Sequence, residues 1–270
     1  MHSPVIMTPI KGDNLNLKVM YMVNVRYEEM LPREIVEARN ACPIAYVPLG
    51  TIEWHGEHNA VGLDALKEHA LAVECAYKGG GLAFPPLWYS ENRERSLMEV
   101  DSGDTAAIAD RYGLPMENFA AGYTGVSAHN QDLGYVETLV RISRQAKSLG
   151  FKVIVLMAGH YPLLRHAKAA AELMDLSDSD VRTLAVTGYE LVRDEIPDAG
   201  DHAGKWETSL LMALRPECVD MSRLPDDPNE RLVGVFGDAR EATEEYGRRG
   251  VELVVQRIVA KAQQALTDVK

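Results

Sequence analysis

Residues 44–50, IAYVPLG, form a short apolar run that ends in glycine, and the polar stretch TIEWHGEH follows at residues 51–58. The apolar run predicts a buried strand that passes into a turn. Apolar residues then recur at helical spacing, at Leu63, Leu66, Ala70, Val73 and Tyr77. Because three glycines follow at residues 79–81, we expect this helix to end there.

The same alternation continues along the chain. Further strands are predicted at residues 82–84, 152–157 and 181–186, and further helices at residues 135–149, 207–214 and 251–266. Residues 153–157 are apolar without interruption, as expected for a parallel strand covered on both faces. Strands that alternate with helices predict an α/β fold, a three-layer α/β/α sandwich with a mostly parallel central sheet. No linker interrupts the chain, so we expect one domain over residues 1–270.

Composition excludes several classes of protein. The chain has 270 residues, 28 Lys and Arg against 40 Asp and Glu, and a net charge of −12. A chain so short of cations is not expected to bind nucleic acid. Its apolar runs fall short of a membrane span, and its three cysteines are too widely spaced for a disulfide framework. We therefore expect a soluble, cytoplasmic protein with neither nucleic acid nor a membrane as a partner.

Polar residues follow the first predicted strand directly. Glu53 and His55 are two positions apart in an extended segment, so their side chains project to the same side. Asp64, at the start of the next helix, can turn its carboxylate to the same place and bridge two cations. This pattern indicates a metal site, although exposed polar residues that cap a helix are the simpler alternative. His58 is expected either to bind metal or to support a ligand through a hydrogen bond.

Two further clusters lie at predicted strand ends or helix starts. His160 follows the strand at residues 152–157, where open-sheet enzymes bind ligands, and we expect Gly159 to make room for it. A purely structural histidine is the alternative. The third cluster, residues 201–209, reads DHAGKWETS. Helix capping explains Thr208 and Ser209, but it does not explain a histidine, a tryptophan and a glutamate together.

At these clusters the sequence resembles the creatininase (creatinine amidohydrolase) family. The motifs are PLGTIEWHGEH with Asp64, then GHY, HAGKWETS and GDAREAT, in the family's order over roughly residues 42–260. The resemblance implies a single α/β/α domain, a binuclear metal site, hydrolysis of cyclic or unusual amide bonds, and a homo-oligomer, often a hexamer. It implies that Glu53, Asp64 and His160 bind one metal, and that His55 binds the other with Asp64 as the bridge.

The sequence departs from the family at several positions. Glu57, Asn59 and Ala60 replace family residues, and Pro162 stands where creatininase has a metal-binding glutamate. Glu207 is the candidate replacement, although a negative charge near a helix start has a structural explanation too. We therefore expect weak hydrolysis of creatinine. A cyclic amide, a formamide or another unusual amide is the expected substrate, and related branches leave open a peptide hydrolase resembling the mycofactocin precursor peptidase.

The expected chemistry follows from the donors. Carboxylates and imidazoles suit two divalent cations, Zn²⁺ or Mn²⁺, with Fe²⁺ as a further candidate. Such ions activate water for attack on an amide, and His202 is the candidate acid for the departing nitrogen. A non-hydrolytic isomerase or lyase and a metal-free binding protein are the alternatives. Pocket residues are expected at Trp88, Tyr89, Tyr161 and Trp206, and at residues 91–93. Residues 95–123 are expected to form either a solvated loop or a lid or oligomer contact.

Overall fold

The structure, a computed structural model, describes residues 24–90, 103–120, 122–123, 125–177 and 179–269. Within these residues one sheet contains four strands, β1 (Ile44–Leu49), β2 (Leu82–Ala83), β3 (Val153–Ala158) and β4 (Arg182–Val186). Their order across the sheet is β2-β1-β3-β4, and every neighbouring pair is parallel. All four strands predicted from the sequence are therefore present.

The same part of the chain contains eight α-helices and several short 3-10 turns. The helices are α1 (Pro32–Ala41), α2 (Leu63–Gly79), α3 (Thr105–Arg111), α4 (Ala128–Ser148), α5 (Leu163–Ser177), α6 (Gly188–Val192), α7 (Lys205–Leu214) and α8 (Glu244–Asp268). Among these described helices, none combines the length and the apolar character that crossing a bilayer requires.

The sheet lies between two layers of helices. Helix α2 connects β1 to β2, whereas α5 connects β3 to β4, and the two connections leave the centre of the sheet in opposite directions. Because such crossovers are right-handed, α2 and α5 cover opposite faces. Helices α7 and α8 pack with α2, and α4 packs with α5. The predicted three-layer α/β/α sandwich is confirmed.

The main core lies at the centre of this sandwich. Every residue of β1 and β3 is buried, because helices cover both faces of these strands. Tyr46, Ile154 and Leu156 are among the largest fully buried side chains. Burial of one large apolar side chain stabilises a fold by about 1.5–3 kcal/mol. These two strands therefore hold the ends of their following loops in fixed positions.

Some helices extend beyond the predicted bounds or were not predicted. Helix α4 begins at Ala128, after Ser127 accepts a hydrogen bond from the Asn130 N–H and so caps it, whereas the apolar pattern starts only at Tyr135. No residue of α1 is buried, so it has no apolar stripe to reveal it. The buried face of α5 includes several alanines, which give a weak pattern.

The buried face of α2 differs from the apolar pattern in the sequence. Tyr77 is 42% exposed, whereas Asp64, Lys67 and Glu68 are buried together with Leu71. The helix is therefore rotated so that charged residues, and not the full apolar stripe, face inward. The contacts of these charged side chains, described below, explain the orientation of α2.

Residues 103–120 pack against the rest of the protein and do not form a solvated loop. Within residues 103–120, Ile108 and Phe119 are buried and pack with Trp54 in a second small core. The Trp54 indole N–H donates to the Val233 carbonyl over 2.8 Å, and Asp104 accepts the Gly234 N–H over 2.7 Å. The expectation of a solvated loop is wrong for this part, because it covers the loop after β1. A lid or oligomer contact stays a prediction.

Candidate metal centre

The residues expected to bind metal meet at the carboxyl ends of β1 and β3. Glu53 and His55 lie in the loop after β1, and His160 is the second residue after β3. Because the connections after these adjacent strands leave in opposite directions, a crevice opens between them. The topology therefore brings together two loops that are about a hundred residues apart in sequence, as the rule for open parallel sheets predicts.

Asp64 reaches this crevice because α2 approaches both strand ends closely. A Cβ atom at Gly159 would lie 2.6 Å from the Asp64 carbonyl oxygen, and one at Gly50 would lie 2.4 Å from the Ala65 nitrogen. Both distances are far below van der Waals contact. Glycine at these positions thus makes room for the start of α2, and not chiefly for His160 as the sequence suggested.

Three side chains form the first candidate ligand group. His160 Nδ1 lies 3.0 Å from Glu53 Oε1 and 3.4 Å from Asp64 Oδ2. One ligand atom from each residue lies within 4.8 Å of the others, and all three residues are buried. The group has two carboxylates and one imidazole, a donor set that suits Zn²⁺ or Mn²⁺.

The second group shares Asp64 with the first. His55 Nε2 lies 3.6 Å from Asp64 Oδ1 and 3.8 Å from Glu207 Oε2. These three buried residues also place one ligand atom each within 4.8 Å of the others. The two Asp64 oxygens therefore face different groups, which is the arrangement of a bridging carboxylate.

The buried polar atoms of this cluster fit a pair of cations. Glu53 Oε1, His55 Nε2 and both carboxylate oxygens of Asp64 have no hydrogen-bond partner among the described residues, although ion-pair distances join them. Leaving a buried polar group without a hydrogen bond costs about 1–3 kcal/mol. Four such atoms that face one another are expected where divalent ions bind, because the ions would satisfy all of them at once.

Two histidine rings are oriented by backbone carbonyls. His55 Nδ1 lies 3.2 Å from the Glu53 carbonyl oxygen, so an Nδ1–H donates there and Nε2 is the nitrogen that faces the cluster. His202 Nε2 donates to the Trp54 carbonyl over 2.9 Å, and its Nδ1 lies 3.8 Å from Glu53 Oε1. The two rings stack with centroids 4.5 Å apart. Glu53, His55 and His202 form a third, overlapping ligand group.

Opposite charges shift the pKa values within the cluster. Burial opposes the charge of His55, but the carboxylates of Asp64, Glu53 and Glu207 outweigh it and raise the pKa to about 9. Glu53 and Asp64 likewise raise the pKa of His160, again against the effect of burial. The same contacts lower the pKa of Glu53 and Asp64, although burial alone would raise them. In the metal-free protein, imidazole protons therefore balance the carboxylates, and a bound cation would replace those protons.

Lys67 places a buried positive charge beside Glu207 and Asp64. This residue is 4% exposed, and its Nζ donates to Glu207 Oε1 over 2.9 Å and to the Gly159 carbonyl over 3.2 Å. Asp64 Oδ1 lies 3.9 Å away. Burial would lower the pKa of Lys67, but Glu207 and Asp64 outweigh this effect and raise it, so the side chain stays charged.

The start of α7 fixes the orientation of Glu207. Asp201 accepts the N–H groups of Trp206 and Glu207 over 2.7 and 3.2 Å, and the Ala203 N–H donates to Glu207 Oε2 over 2.9 Å. Ala203 has φ of +54°, which is strained for a residue with a Cβ. The strained turn points one backbone N–H at the carboxylate and places His202 on the other side.

His58 supports this turn and does not join any of the ligand groups found in the described residues. Its Nε2 lies 3.1 Å from the Ala203 carbonyl oxygen and 3.0 Å from Thr208 Oγ1. Burial lowers its pKa to about 4, so the ring is neutral near pH 7. Of the two roles left open by the sequence, the geometry agrees with hydrogen-bonded support of the turn that carries His202 and Glu207.

Three of the aromatic residues expected in the pocket lie in different surroundings. Trp88 is half-buried, and its ring lies against Gly62. Tyr161 is 52% exposed and donates to Glu190 over 3.3 Å. Trp206 belongs to the main core, where its ring contacts Gly250 of α8. Residues 91–93, also expected near the pocket, lie outside the described residues.

The described residues form cavities of different size near the cluster. A small one of about 30 Å³ is lined by residues that include Lys67, Glu68, Tyr161, Trp206 and Glu207. A larger one of about 410 Å³ lies beyond the loop at residues 56–58, and its lining includes three arginines and four carboxylates. The larger cavity contains neither ligand group, so the buried cluster, and not cavity size, identifies the candidate site.

Sequence reasoning missed three charged residues around the cluster. Lys67 and Glu68 come three and four residues after Asp64, so they share its face of α2, and Asp201 immediately precedes His202. The helical spacing from Asp64 was the available signal. It was hidden because the apolar stripe of α2 suggested a different buried face.

Fold and cluster together describe an α/β protein with a candidate metal site at the switch point of a parallel sheet. The model of the creatininase family, creatinine amidohydrolase, matches residues 28–100 and 112–262, and the chain belongs to this family. Members of the family are amidohydrolases, so the chain is a hydrolase of that class.

Individual relatives agree with this assignment. Creatinine amidohydrolase of Pseudomonas putida is 24% identical over 249 residues, covering 80% of this chain and 86% of that protein. A 3-dehydro-scyllo-inosose hydrolase of Thermotoga maritima is 21% identical over 202 residues, covering 72% of this chain and 57% of the other. A crystal structure of creatininase superposes with a TM-score of 0.67 at 25% identity, covering 89% of this chain and 97% of that one.

Proposed function

We propose that the protein is a metal-dependent amidohydrolase that uses two divalent cations to hydrolyse a cyclic amide, a formamide or another unusual C–N amide bond. The observation that carries the proposal is the convergence of unpartnered, buried donor atoms from Glu53, His55 and Asp64 at the carboxyl end of β1. A structural role alone does not account for them, because unpaired buried donors and acceptors destabilise a fold.

In this proposal Glu53, Asp64 and His160 bind one cation, and His55, Asp64 and Glu207 bind the other, with Asp64 as the bridge. Glu207 thereby replaces the glutamate that is missing at Pro162, which lies in the turn before α5. Zn²⁺ and Mn²⁺ are the expected ions, since both tolerate mixed carboxylate and imidazole ligands. Structural relatives include creatininase described in a manganese form and in a zinc–zinc form.

The cations would supply a water of lowered pKa and a polarised carbonyl. The chain's own residues then handle the protons. His202 is held by the Trp54 carbonyl through Nε2, so its Nδ1 is the atom that faces the cluster. This nitrogen can accept the proton that the attacking water releases and pass it to the departing nitrogen. Glu207 has a second proposed role beside its ligand role, since its carboxylate lies close enough to the same centre to orient water.

The residues beside the proposed metal site favour a substrate other than creatinine. Pro162 provides no carboxylate, and Lys67 and Glu68 place two buried ionisable groups beside the cluster. The missing carboxylate at Pro162 changes the polarity next to the proposed cations. We therefore propose an amide other than creatinine as the preferred substrate. A homo-oligomer is proposed on the family resemblance alone.

Two measurements test this function. Metal analysis of protein loaded with Zn²⁺ or Mn²⁺ should give about two ions per chain, and Asp64→Ala should remove both because it is the bridge. A panel of cyclic amides, formamides and short peptides, with creatinine and 3-dehydro-scyllo-inosose as references, should then reveal hydrolysis that chelation abolishes. An Asp64→Ala protein with two metals and full activity would refute the binuclear site, and efficient creatinine hydrolysis would refute the altered specificity.

A further inference from the structure

Lys67 has a role that metal binding by the carboxylates does not explain. It lies one turn after Asp64 on α2, and its ammonium is nearly enclosed. Its Nζ donates hydrogen bonds to Glu207 Oε1 and to the Gly159 carbonyl, and Asp64 Oδ1 lies at an ion-pair distance of 3.9 Å. The side chain is thus committed to this cluster and is not available to bind a substrate.

The two carboxylate oxygens of Glu207 have different partners. Oε1 is held by Lys67 over 2.9 Å, whereas Oε2 accepts the Ala203 N–H and faces His55 Nε2 at 3.8 Å. Only one oxygen of this carboxylate is therefore directed at the second ligand group. A carboxylate held in this way can offer one coordinating atom without breaking a buried ion pair.

We propose that Lys67 is a positioning residue that limits Glu207 to one coordinating oxygen and so favours Zn²⁺ over Mn²⁺ at the site of His55, Asp64 and Glu207. This inference rests on the proposed function, in which Glu207 binds metal. Zinc in proteins usually has four ligands, whereas Mn²⁺ prefers six ligands with a larger share of oxygen atoms among them. A freed Glu207 could supply both oxygens and would therefore favour Mn²⁺.

The ratio of the Mn²⁺ and Zn²⁺ affinities distinguishes the positioning role of Lys67 from the general effect of its positive charge. Removing the Lys67 cation makes the site more negative, which strengthens the binding of every divalent ion to a similar degree. The ratio of the Mn²⁺ to the Zn²⁺ dissociation constant cancels that common effect. What remains in the ratio is the difference in coordination between the two ions.

The test compares Lys67→Met with the unmodified protein, and Lys78→Met serves as a matched control because Lys78 is exposed at the end of the same helix. Each metal-free protein is titrated with Zn²⁺ alone and with Mn²⁺ alone against a chromophoric chelator. In Lys67→Met the ratio at the second site should fall by on the order of tenfold, within the usual effect of residues that orient ligands. In Lys78→Met it should not change, and an unchanged ratio in Lys67→Met overturns the proposal.

A second measurement needs no variant. Crystals of the unmodified protein loaded with Zn²⁺ should show Glu207 bound through Oε2 alone, with Oε1 still on Lys67. Coordination through both oxygens, with Lys67 displaced, overturns the inference even where Lys67→Met does not fold. Failure of the proposed function gives a different result, since the unmodified protein would then not bind two ions, or Glu207→Gln would keep both.

Discussion

Individual residues decide which atoms of this chain face one another. Glu207 is the clearest case, because its two oxygens have different partners and its position near the start of α7 offers a competing structural explanation. A negative side chain near a helix start stabilises the helix by about 0.3–1 kcal/mol. Loss of this helix-end charge should leave turnover nearly unchanged, whereas loss of a metal ligand should lower turnover by orders of magnitude. The two explanations therefore differ in their expected effect on activity.

We predict that Glu207→Gln folds, binds about one metal ion in place of two and loses turnover by orders of magnitude. Metal analysis after dialysis and steady-state kinetics on a substrate found in the panel measure both effects. Glu245→Gln is the control for helix-end charge, since Glu245 lies exposed in the first turn of α8. Two metals and normal turnover in Glu207→Gln would leave only the structural explanation.

His202 gives a second prediction at this scale. If its Nδ1 moves a proton, His202→Ala should keep about two metals while kcat falls roughly 10²- to 10⁴-fold, the usual contribution of general acid–base catalysis. The exposed His129 provides the control substitution to alanine. Loss of a metal from His202→Ala would instead make this residue a ligand, as its overlap with Glu53 and His55 allows.

At the scale of elements, the site depends on how closely α2 approaches the ends of β1 and β3. Gly50 and Gly159 permit that approach, because a Cβ at either position would overlap the first turn of the helix. The carboxylate of Asp64 is thus placed by backbone packing and not by its own hydrogen bonds. A small displacement of α2 should therefore affect both proposed metals.

We predict that Gly159→Ala destabilises the metal-free protein by about 1–3 kcal/mol, as overpacking usually does, and weakens binding of both ions. Gly134→Ala in α4 is the control, since among the described residues no atom outside the adjoining residues and backbone of α4 lies within 4 Å of its added Cβ. That substitution should stabilise the protein by about 0.5–1 kcal/mol, because alanine favours a helix. Denaturant unfolding and metal titration measure the pair, and equal effects of the two substitutions would contradict the packing argument.

At the scale of the whole molecule, buried charge makes stability depend on pH. Glu68 is 2% exposed, and burial, opposed by Lys67, raises the pKa of its carboxyl to about 7 from an ordinary value of 4.5. Between these values the folded state binds more protons than the unfolded state. Glu68 therefore costs stability that grows as the pH rises from 4.5 through about 7.

We predict that Glu68→Gln removes this cost. In chelator-treated protein, its free energy of unfolding relative to the unmodified protein should rise by on the order of 2 kcal/mol between about pH 5 and about pH 8. Glu74→Gln, exposed on the same helix, should show no such trend. A difference between Glu68→Gln and the unmodified protein that stays constant with pH would show that Glu68 titrates normally.

Assembly belongs to the same scale. The family resemblance predicts a homo-oligomer, and sedimentation velocity at micromolar concentration measures it directly. A monomer as the only species would contradict that expectation. The small core of Trp54, Ile108 and Phe119 would then have to cover the loop after β1 without help from a second subunit.

Sequence alone determined the positions of the four strands and most of the candidate metal ligands. The uninterrupted apolar runs of β1 and β3 predict parallel strands covered on both sides, since water is excluded from both faces. Glu53, His55 and His160 could be found because each follows a predicted strand, and ligands bind beyond the carboxyl ends of the strands in parallel sheets. Local order along the chain was enough for each of these inferences.

Only the tertiary structure decided which face of α2 is buried, and with it the roles of Lys67 and Glu68. Periodicity favoured the stripe through Leu66 and Tyr77, because an apolar side chain is normally the one removed from water. Burying Lys67 is favourable only when Glu207 lies within reach to pair with it, and Glu207 is 140 residues away in sequence. A pairing between such distant residues leaves no periodic pattern in the sequence, and the fold alone brings the two charges together.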